Sequence, residues 1–198
     1  MNQIGGKMNY KVNEIFYSLQ AEGKYAGRAA VFIRLCGCNL QCPWCDTKYH
    51  TLGEMYTKEE LEERVDYLTH GNKDVIIVFT GGEPTLQLKE EEPLLDGYYK
   101  CIETNGTNKV PSWIDWITCS PKSNIDFSAI GRKPDEIKVV YEYGRDKYLK
   151  SLLDLDVDLY VQPLEQNGKM NIAEVFDFIK MNPKYKLSLQ WHKLLGVR

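Results

Sequence analysis

The chain lacks the features that would send it into a membrane or a secretory route. No apolar run approaches the roughly 18 residues of a membrane-spanning helix. The first residues, MNQIGGKMNYK, have no apolar central region of the kind found in secretory signals. We therefore expect a cytoplasmic protein with no membrane partner. Met8 directly precedes a strand-like run, and we assign no role to Met1 to Lys7 before it.

An excess of positive charge is also missing. The chain has 25 Lys and Arg against 28 Asp and Glu, for a net charge of -3. It has no basic stripe with interleaved aromatic residues, so we expect no nucleic-acid partner. Histidine is scarce, with three residues in all. His50 and His70 lie in polar loop contexts, where we expect no chemical role.

What is present suits one domain with a sizeable core. The 198 residues are 43% hydrophobic, enough for a single domain over 1–198. Strand-like apolar runs recur along the chain at Ala30 to Leu35, Val75 to Phe79, Tyr99 to Glu103, Trp116 to Cys119, Glu136 to Tyr141, Asp158 to Gln162 and Lys186 to Gln190. With helices between some of them, this pattern predicts an α/β barrel with parallel strands. The segment between Glu103 and Trp116 is too short and too rich in turn formers for a crossover helix, so the barrel should be incomplete.

Three helices are indicated by their spacing and caps. Thr57 with Glu60 forms a capping box, and Gly71 ends that first helix. Its predicted inner face consists of Leu61, Val65 and Leu68. A second helix should carry Leu149, Leu152 and Leu153. A third should be capped by Asn171 and Glu174, with Ile172, Val175, Phe176 and Ile179 as its buried face.

Polar motifs follow four successive strands of this pattern. They are the loop Cys38 to Asp46, then TGGEP at Thr80 to Pro84, ETNG at Glu103 to Gly106 and SPK at Ser120 to Lys122. Because the carboxyl ends of parallel strands converge, the four motifs should surround a single pocket.

Four of the six cysteines fall within CGCNLQCPWC, and four explanations compete for them. A disulfide knot is disfavoured in a reducing compartment, where a cysteine cluster more often binds metal or reacts, while an accident of core packing stays open at this point. A structural zinc site usually takes two separated cysteine pairs, whereas no second pair exists here. Cys36 and Cys38 should point to opposite sides of an extended chain. Cys38, Cys42 and Cys45, spaced C-x3-C-x2-C, instead suit an iron–sulfur cluster that keeps one iron free for a ligand.

This loop resembles that of the radical S-adenosylmethionine (SAM) superfamily. The resemblance includes Trp44 before the last cysteine, the position of the cysteine loop after the first barrel strand, and TGGEP after the second. It implies a [4Fe–4S] cluster, bound SAM and, as electron donor, a flavodoxin- or ferredoxin-type protein.

Two further stretches are similar to the 7-carboxy-7-deazaguanine synthase family. These are EIFYSLQAEGKYAGRAAVFIRL, which begins at Glu14, and the tail QWHKLLGVR, together with CDT after the cluster loop. The resemblance runs through nearly the whole chain and implies a partial, modified (β/α)6 TIM-like barrel. It also implies ring contraction of 6-carboxy-5,6,7,8-tetrahydropterin to 7-carboxy-7-deazaguanine with loss of ammonia, on the route to queuosine. SAM would be regenerated, and a homodimer is expected.

The family's roles carry over to matching positions. Cys38, Cys42 and Cys45 would hold the cluster, and Thr47 would bind Mg2+. The substrate would contact Leu19, Gln20, Glu22, Arg34, Thr80 and His192. SAM would contact Trp44, Gly81, Gly82, Glu83, Glu103, Asn105, Ser120, Lys122 and Gln162.

Simpler roles stay open for several of these residues. Glu22 and Arg34 could form an ordinary ion pair, Asn105 with Gly106 a turn, and His192 a packing contact. Thr47 could be a turn hydroxyl.

Two departures from the family pattern stand out. Ala21 replaces a usual glycine, so its backbone should avoid positive φ. Cys36 replaces a small or polar residue, and we expect it to be a packed thiol.

Two rival functions also remain. A glycyl-radical activase shares the cysteine spacing but would need an open groove for a protein backbone. A zinc-stabilised binding module would be colourless and inert in redox reactions.

Overall fold

The computed structural model describes residues 9–45, 52–122, 126–142, 144–166 and 168–196. Eleven strands run through these residues: β1 Asn9–Leu19, β2 Ala29–Leu35, β3 Glu54–Thr57, β4 Ile76–Gly81, β5 Tyr99–Thr104, β6 Trp116–Cys119, β7 Glu136–Tyr141, β8 Asp158–Pro163, β9 Glu165–Gln166, β10 Lys169–Met170 and β11 Tyr185–Leu187. The helices are α1 Lys58–Thr69, α2 Asp146–Ser151, α3 Ile172–Met181 and α4 Trp191–Leu195.

Nine strands form one sheet in the order β11-β8-β7-β6-β5-β4-β2-β1-β3. From β2 to β11 every pair is parallel, whereas β1 runs antiparallel to both β2 and β3. Strands β9 and β10 form a separate hairpin. Within the described ranges β11 and β3 are the two ends of one open sheet. The predicted α/β fold with parallel strands is confirmed.

Most strand connections in this sheet lack a full helix. Within the described residues, 105–115 contain no helix, as predicted, and the β4–β5 and β6–β7 connections contain only short 3-10 turns at Pro84–Leu86 and Phe127–Ile130. Helix α1 begins with the predicted capping box of Thr57 and Glu60 and ends at Thr69, and the next residue, His70, adopts the left-handed conformation directly before the predicted stop at Gly71. None of the helices in the described ranges is long and apolar enough to cross a membrane.

Away from the carboxyl ends of its parallel strands, the sheet carries apolar side chains on both faces. Val31, Ile33 and Leu35 of β2 belong to the large core, which includes Leu61 and Val65 of α1. Ala30 and Phe32 belong to a smaller core on the opposite face. This division follows from the alternation of side chains along a strand. On that second face the same alternation continues into polar residues at the carboxyl ends, where the candidate site lies.

Four details of the helix and strand predictions were wrong. Phe176 is 47% exposed, and Phe178 packs against the core in its place, because Val175 and Phe178, one turn apart, face the sheet. Asn171 is the N-cap residue of α3, as predicted, but its side chain makes no capping hydrogen bond, since it accepts from Leu164 N and donates to Tyr141 O. Helix α2 ends at Ser151, so Leu152 and Leu153 lie beyond it, and the last strand is Tyr185–Leu187.

Candidate active site

A cavity of about 1450 Å³ opens at the carboxyl ends of the parallel strands. All but two of the predicted site residues line its wall. Those on the wall are Leu19, Gln20, Glu22, Arg34, Cys38, Cys42, Trp44, Cys45, Thr80, Gly81, Gly82, Glu103, Asn105, Ser120, Lys122, Gln162 and His192. Glu83 lies behind the wall, and Thr47 falls outside the described residues. The predicted convergence of the four polar motifs on one pocket is confirmed.

The three cysteines of the C-x3-C-x2-C motif lie on one part of this wall. A turn closes their loop, in which Cys45 N donates to Cys42 O at 3.1 Å. Burial raises the pKa of the Cys42 thiol, against the lowering effect of Lys122. Cys36 is absent from the cavity wall. It is buried, with its Sγ 3.1 Å from the Leu52 carbonyl oxygen, and is the packed thiol that the sequence predicts.

These cysteines suit a cluster better than a single ion. Among the described residues, no group of three His, Cys, Asp or Glu side chains could hold one metal ion. In a [4Fe–4S] cluster each thiolate binds a different iron, so its ligands need not converge on one point. Three cysteines on the wall of one large cavity therefore fit the donor set of that cluster.

The glycine turn after β4 packs directly against the start of the cysteine loop. Gly82 N donates to Leu35 O at 3.1 Å, and Glu83 N donates to Gly37 O at 2.8 Å. A Cβ atom on Gly82 would lie 1.8 Å from Gly37 O, and Gly81 has φ +117°. Only glycine permits this close approach of the two backbones. The segment that would hold SAM is thus fixed against the segment that leads to Cys38.

Glu83 organises the turn from within the protein rather than from the cavity. Its side chain is fully buried and accepts hydrogen bonds from the amide and hydroxyl of Thr85, the hydroxyl of Thr104 and the amide of Asn105. The carboxylate therefore ties the end of β4 to the end of β5. Asn105 continues this link, because its Nδ2 donates to Asn39 Oδ1 in the cysteine loop at 2.9 Å.

A buried lysine that is not among the predicted site residues lies at the floor of the cavity. Lys138 of β7 has a side chain only 8% exposed and forms ion pairs with Glu22 and, at 3.8 Å, with Glu103. Two charged residues, Glu136 and Lys138, on a strand of otherwise largely apolar residues were the available signal, since buried charges cluster at functional sites.

Glu103 lies among residues predicted to bind the substrate. Its carboxylate accepts from Thr80 Oγ1 at 2.8 Å and Gln20 Nε2 at 3.3 Å. Burial acts to raise the Glu103 pKa, but Lys138 and these hydrogen bonds outweigh it, and the pKa lies below its usual value.

The opposite wall combines an ion pair with an aromatic pair. Arg34 Nε donates to Glu14 Oε1 at 2.8 Å, so Arg34 is paired with Glu14 and not with Glu22. Phe16 and Phe32 stack with ring centres 5.0 Å apart, and both rings line the cavity. This wall offers a flat apolar surface beside a guanidinium group, an arrangement that suits a planar ring with a carboxylate.

Two polar atoms of the predicted SAM set lack partners. Trp44 Nε1 and Gln162 Oε1 are buried and have no hydrogen-bond partner among the described residues. Since buried polar atoms are normally paired, a donor at Trp44 and an acceptor at Gln162 on one cavity wall fit a polar cofactor. Near them, Lys122 Nζ donates to Ser120 Oγ at 2.8 Å.

Two further residues discussed from the sequence, His192 and Ala21, also line the cavity. His192 faces the cavity from α4, whose Lys193 forms an ion pair with Glu165 of the β9–β10 hairpin at 3.4 Å. Ala21 lines the cavity without a positive φ, as predicted, and its amide donates to Gln20 Oε1 at 2.8 Å.

Comparisons with known proteins agree on one family. Residues 32–165 match the model of the Radical SAM superfamily. A 7-carboxy-7-deazaguanine synthase of Bacteroides thetaiotaomicron is 43% identical over 196 residues, covering 96% of this chain and all of that protein. The synthase of Haemophilus influenzae is 37% identical, covering 96% and 94%. The crystal structure of QueE from Escherichia coli superimposes with a TM-score of 0.74 at 30% identity, covering 92% of this chain and 94% of that one.

Proposed function

This chain belongs to the 7-carboxy-7-deazaguanine synthase family of radical SAM enzymes, and from that premise we propose that it contracts the ring of 6-carboxy-5,6,7,8-tetrahydropterin to give 7-carboxy-7-deazaguanine and ammonia. The observation that carries the proposal is the single cavity that brings together the three cysteines, the glycine turn and the predicted pterin contacts. The family implies a [4Fe–4S] cluster and SAM, which together would supply the radical chemistry that takes hydrogen from C6 of the substrate.

The chain's own residues bind and orient the reactants. Cys38, Cys42 and Cys45 would hold the cluster, while the turn at Gly81 and Gly82 offers backbone groups to SAM. The stacked rings of Phe16 and Phe32 would lie along the pterin. With both ligands bound, the wall of this cavity would hold the reacting atoms in a fixed relative position.

Arg34 and Mg2+ are proposed to hold the substrate carboxylate. Arg34 already pairs with Glu14, so its two terminal guanidinium nitrogens are the groups we assign to the carboxylate. Thr47 is proposed as a ligand of Mg2+, on the strength of the family resemblance and the preference of this ion for oxygen ligands. We also propose a flavodoxin- or ferredoxin-type electron donor and a homodimer. Reduction assays with each donor protein test the first, and light scattering tests the second.

Product analysis under anaerobic conditions tests the reaction. The protein is reconstituted with iron and sulfide, reduced, and mixed with SAM and carboxytetrahydropterin, with and without Mg2+. Mass spectrometry should detect 7-carboxy-7-deazaguanine, which should disappear in Cys42→Ala. Cleavage of SAM without this product would contradict the proposed substrate and support the activase. A protein that takes up zinc but no cluster would support the binding module.

A further inference from the structure

Lys138 lies where a charged side chain is costly unless it is matched. Its neighbours Ile137 and Val139 are fully buried on the other face of β7, while Lys138 itself faces the cavity. Its two anionic partners come from different parts of the fold, Glu22 from the turn after β1 and Glu103 from β5. One ammonium group thus joins three elements across the cavity floor. A residue needed only for packing would be apolar here.

Carboxylates outnumber cations around this ammonium. Glu22, Glu103 and, one layer lower on β7, Glu136 all face Lys138. Glu136 is occupied, since it accepts from Lys24 N and Thr118 Oγ1, and burial raises its pKa. From the facing strands Arg34 also acts on Glu103, but Arg34 is itself paired with Glu14. Such a floor favours a ligand edge that donates hydrogen bonds.

One acceptor on this floor is left for a ligand. Glu22 Oε2 is held by Lys138, whereas Glu22 Oε1 accepts no hydrogen bond from the described residues. The neighbouring Gln20 is committed elsewhere, because its Oε1 accepts from the amides of Ala21 and Glu22 and its Nε2 donates to Glu103. The charged pair therefore fixes Glu22 in place and keeps its second oxygen available at the cavity.

We infer that Lys138 is a positioning residue of the substrate pocket, whose ammonium orients Glu22 so that Glu22 Oε1 accepts from an N–H group of a planar nitrogen heterocycle. This inference rests on the proposed function, under which the heterocycle is the aminopyrimidinone ring of the pterin. Lys138 itself need not touch the substrate. Its effect passes through the carboxylates that it holds.

Calorimetric titration with carboxytetrahydropterin tests this role in the cluster-loaded protein with SAM bound. Lys138→Met should weaken pterin binding about 10- to 100-fold, the value of a hydrogen bond to a charged group. Lys138→Arg should recover part of the affinity because it keeps the charge. Lys100→Met is the matched control. Lys100 is also a buried lysine with a carboxylate partner, Asp115, but lies outside the cavity, so pterin binding should be unchanged.

A double-mutant comparison separates positioning from general damage. If Lys138 acts through Glu22, then Lys138→Met should have little further effect in a Glu22→Gln background. In the double variant position 22 carries a neutral glutamine, so no unpaired charge is buried there, which favours folding. Loss of Lys138 should also raise the pKa of Glu103. As the pH falls, pterin binding should therefore begin to weaken at a higher pH than in the wild type. Lys138→Arg should reverse that pH change.

The inference is overturned if the Lys138→Met effect is the same with and without Glu22, or no larger than that of Lys100→Met. Wild-type protein that binds the pterin but forms no product would contradict the proposed function, while the affinities still decide the role of Lys138. Wild-type protein that does not bind the pterin would overturn both.

Discussion

At the scale of single residues, the cysteines differ by where their sulfur atoms lie. Cys38, Cys42 and Cys45 reach the cavity, while Cys36, two positions before Cys38, packs against the Leu52 carbonyl. The C-x3-C-x2-C spacing and the alternation of an extended chain predicted this division. The neighbouring thiol therefore serves as a natural control for the cluster ligands.

Cys42→Ala should abolish the cluster, whereas Cys36→Ala should retain it. The first variant removes one of three thiolate ligands, and the second removes a thiol that does not face the cavity. Iron and sulfide content per chain after reconstitution measures the difference. Loss of the cluster from both variants would show that Cys36 is a ligand or is required to shape the loop.

The buried carboxylate of Glu83 should matter mainly for stability. Glu83→Gln replaces one acceptor oxygen with a donor group among the donors of Thr85, Thr104 and Asn105. We expect the free energy of unfolding to fall by about 2–4 kcal/mol in chemical denaturation. Glu90→Gln is the control, because exposed Glu90 bonds to Ser112 at the surface and should change stability little. Equal effects of the two variants would contradict the structural role of Glu83.

At the scale of elements, the strand pattern was largely predictable and the connections were only partly so. Continuous apolar runs such as VIIVF identify strands buried on both faces, and each of the seven predicted runs overlaps a strand of the sheet, the last one only at Lys186 and Leu187. The face of α3 was mispredicted because Phe176 and Phe178 are equally apolar and only the position of the sheet selects between them. Lys138 was missed because the pairing partners of a buried charge lie on other elements, which sequence spacing does not reveal.

The turn between β4 and the cysteine loop should not tolerate a side chain. In Gly82→Ala the new Cβ would overlap the Gly37 backbone, so either the glycine turn or the cysteine loop must move. We expect SAM affinity to fall at least about tenfold, because small displacements of such groups cost binding and rate strongly. Gly97→Ala is the control for general destabilisation, because Gly97 has φ +82° and strains an alanine but lies outside the cavity, so SAM affinity should be unchanged. Equal SAM affinity in Gly82→Ala and wild type would contradict the packing described for this turn.

At the scale of the whole molecule, stability should depend on pH through the cavity floor. The Glu103 pKa is lowered in the folded protein, chiefly because Lys138 outweighs the effect of burial. A lowered carboxyl pKa contributes stability that is present above the unfolded pKa and is lost as pH falls through the folded pKa. Denaturation at a series of pH values should show this acid loss, and Glu103→Gln should reduce it. An identical acid loss in Glu103→Gln would contradict the interpretation.

The sequence predicted the location of the pocket more completely than the contacts of its individual residues. Four polar motifs at strand ends indicated one cavity because parallel strands bring their carboxyl ends together, and the structure confirms that convergence. The motif pattern could not show that Glu83 faces inward, since its four donors come from the turn after β4, from the last residue of β5 and from the residue that follows it. Nor could it show that Arg34 pairs with Glu14, which depends on the antiparallel register of β1 and β2.

The central claim is that the cluster ligands, the glycine turn and the pterin contacts act together in one cavity. Carboxytetrahydropterin labelled with deuterium at C6 tests it most directly, with SAM recovered after turnover and analysed by mass spectrometry. If both molecules bind in this cavity and SAM is regenerated, deuterium should appear in the recovered SAM. Product formed with no deuterium in SAM, or SAM consumed without pterin conversion, would contradict the account.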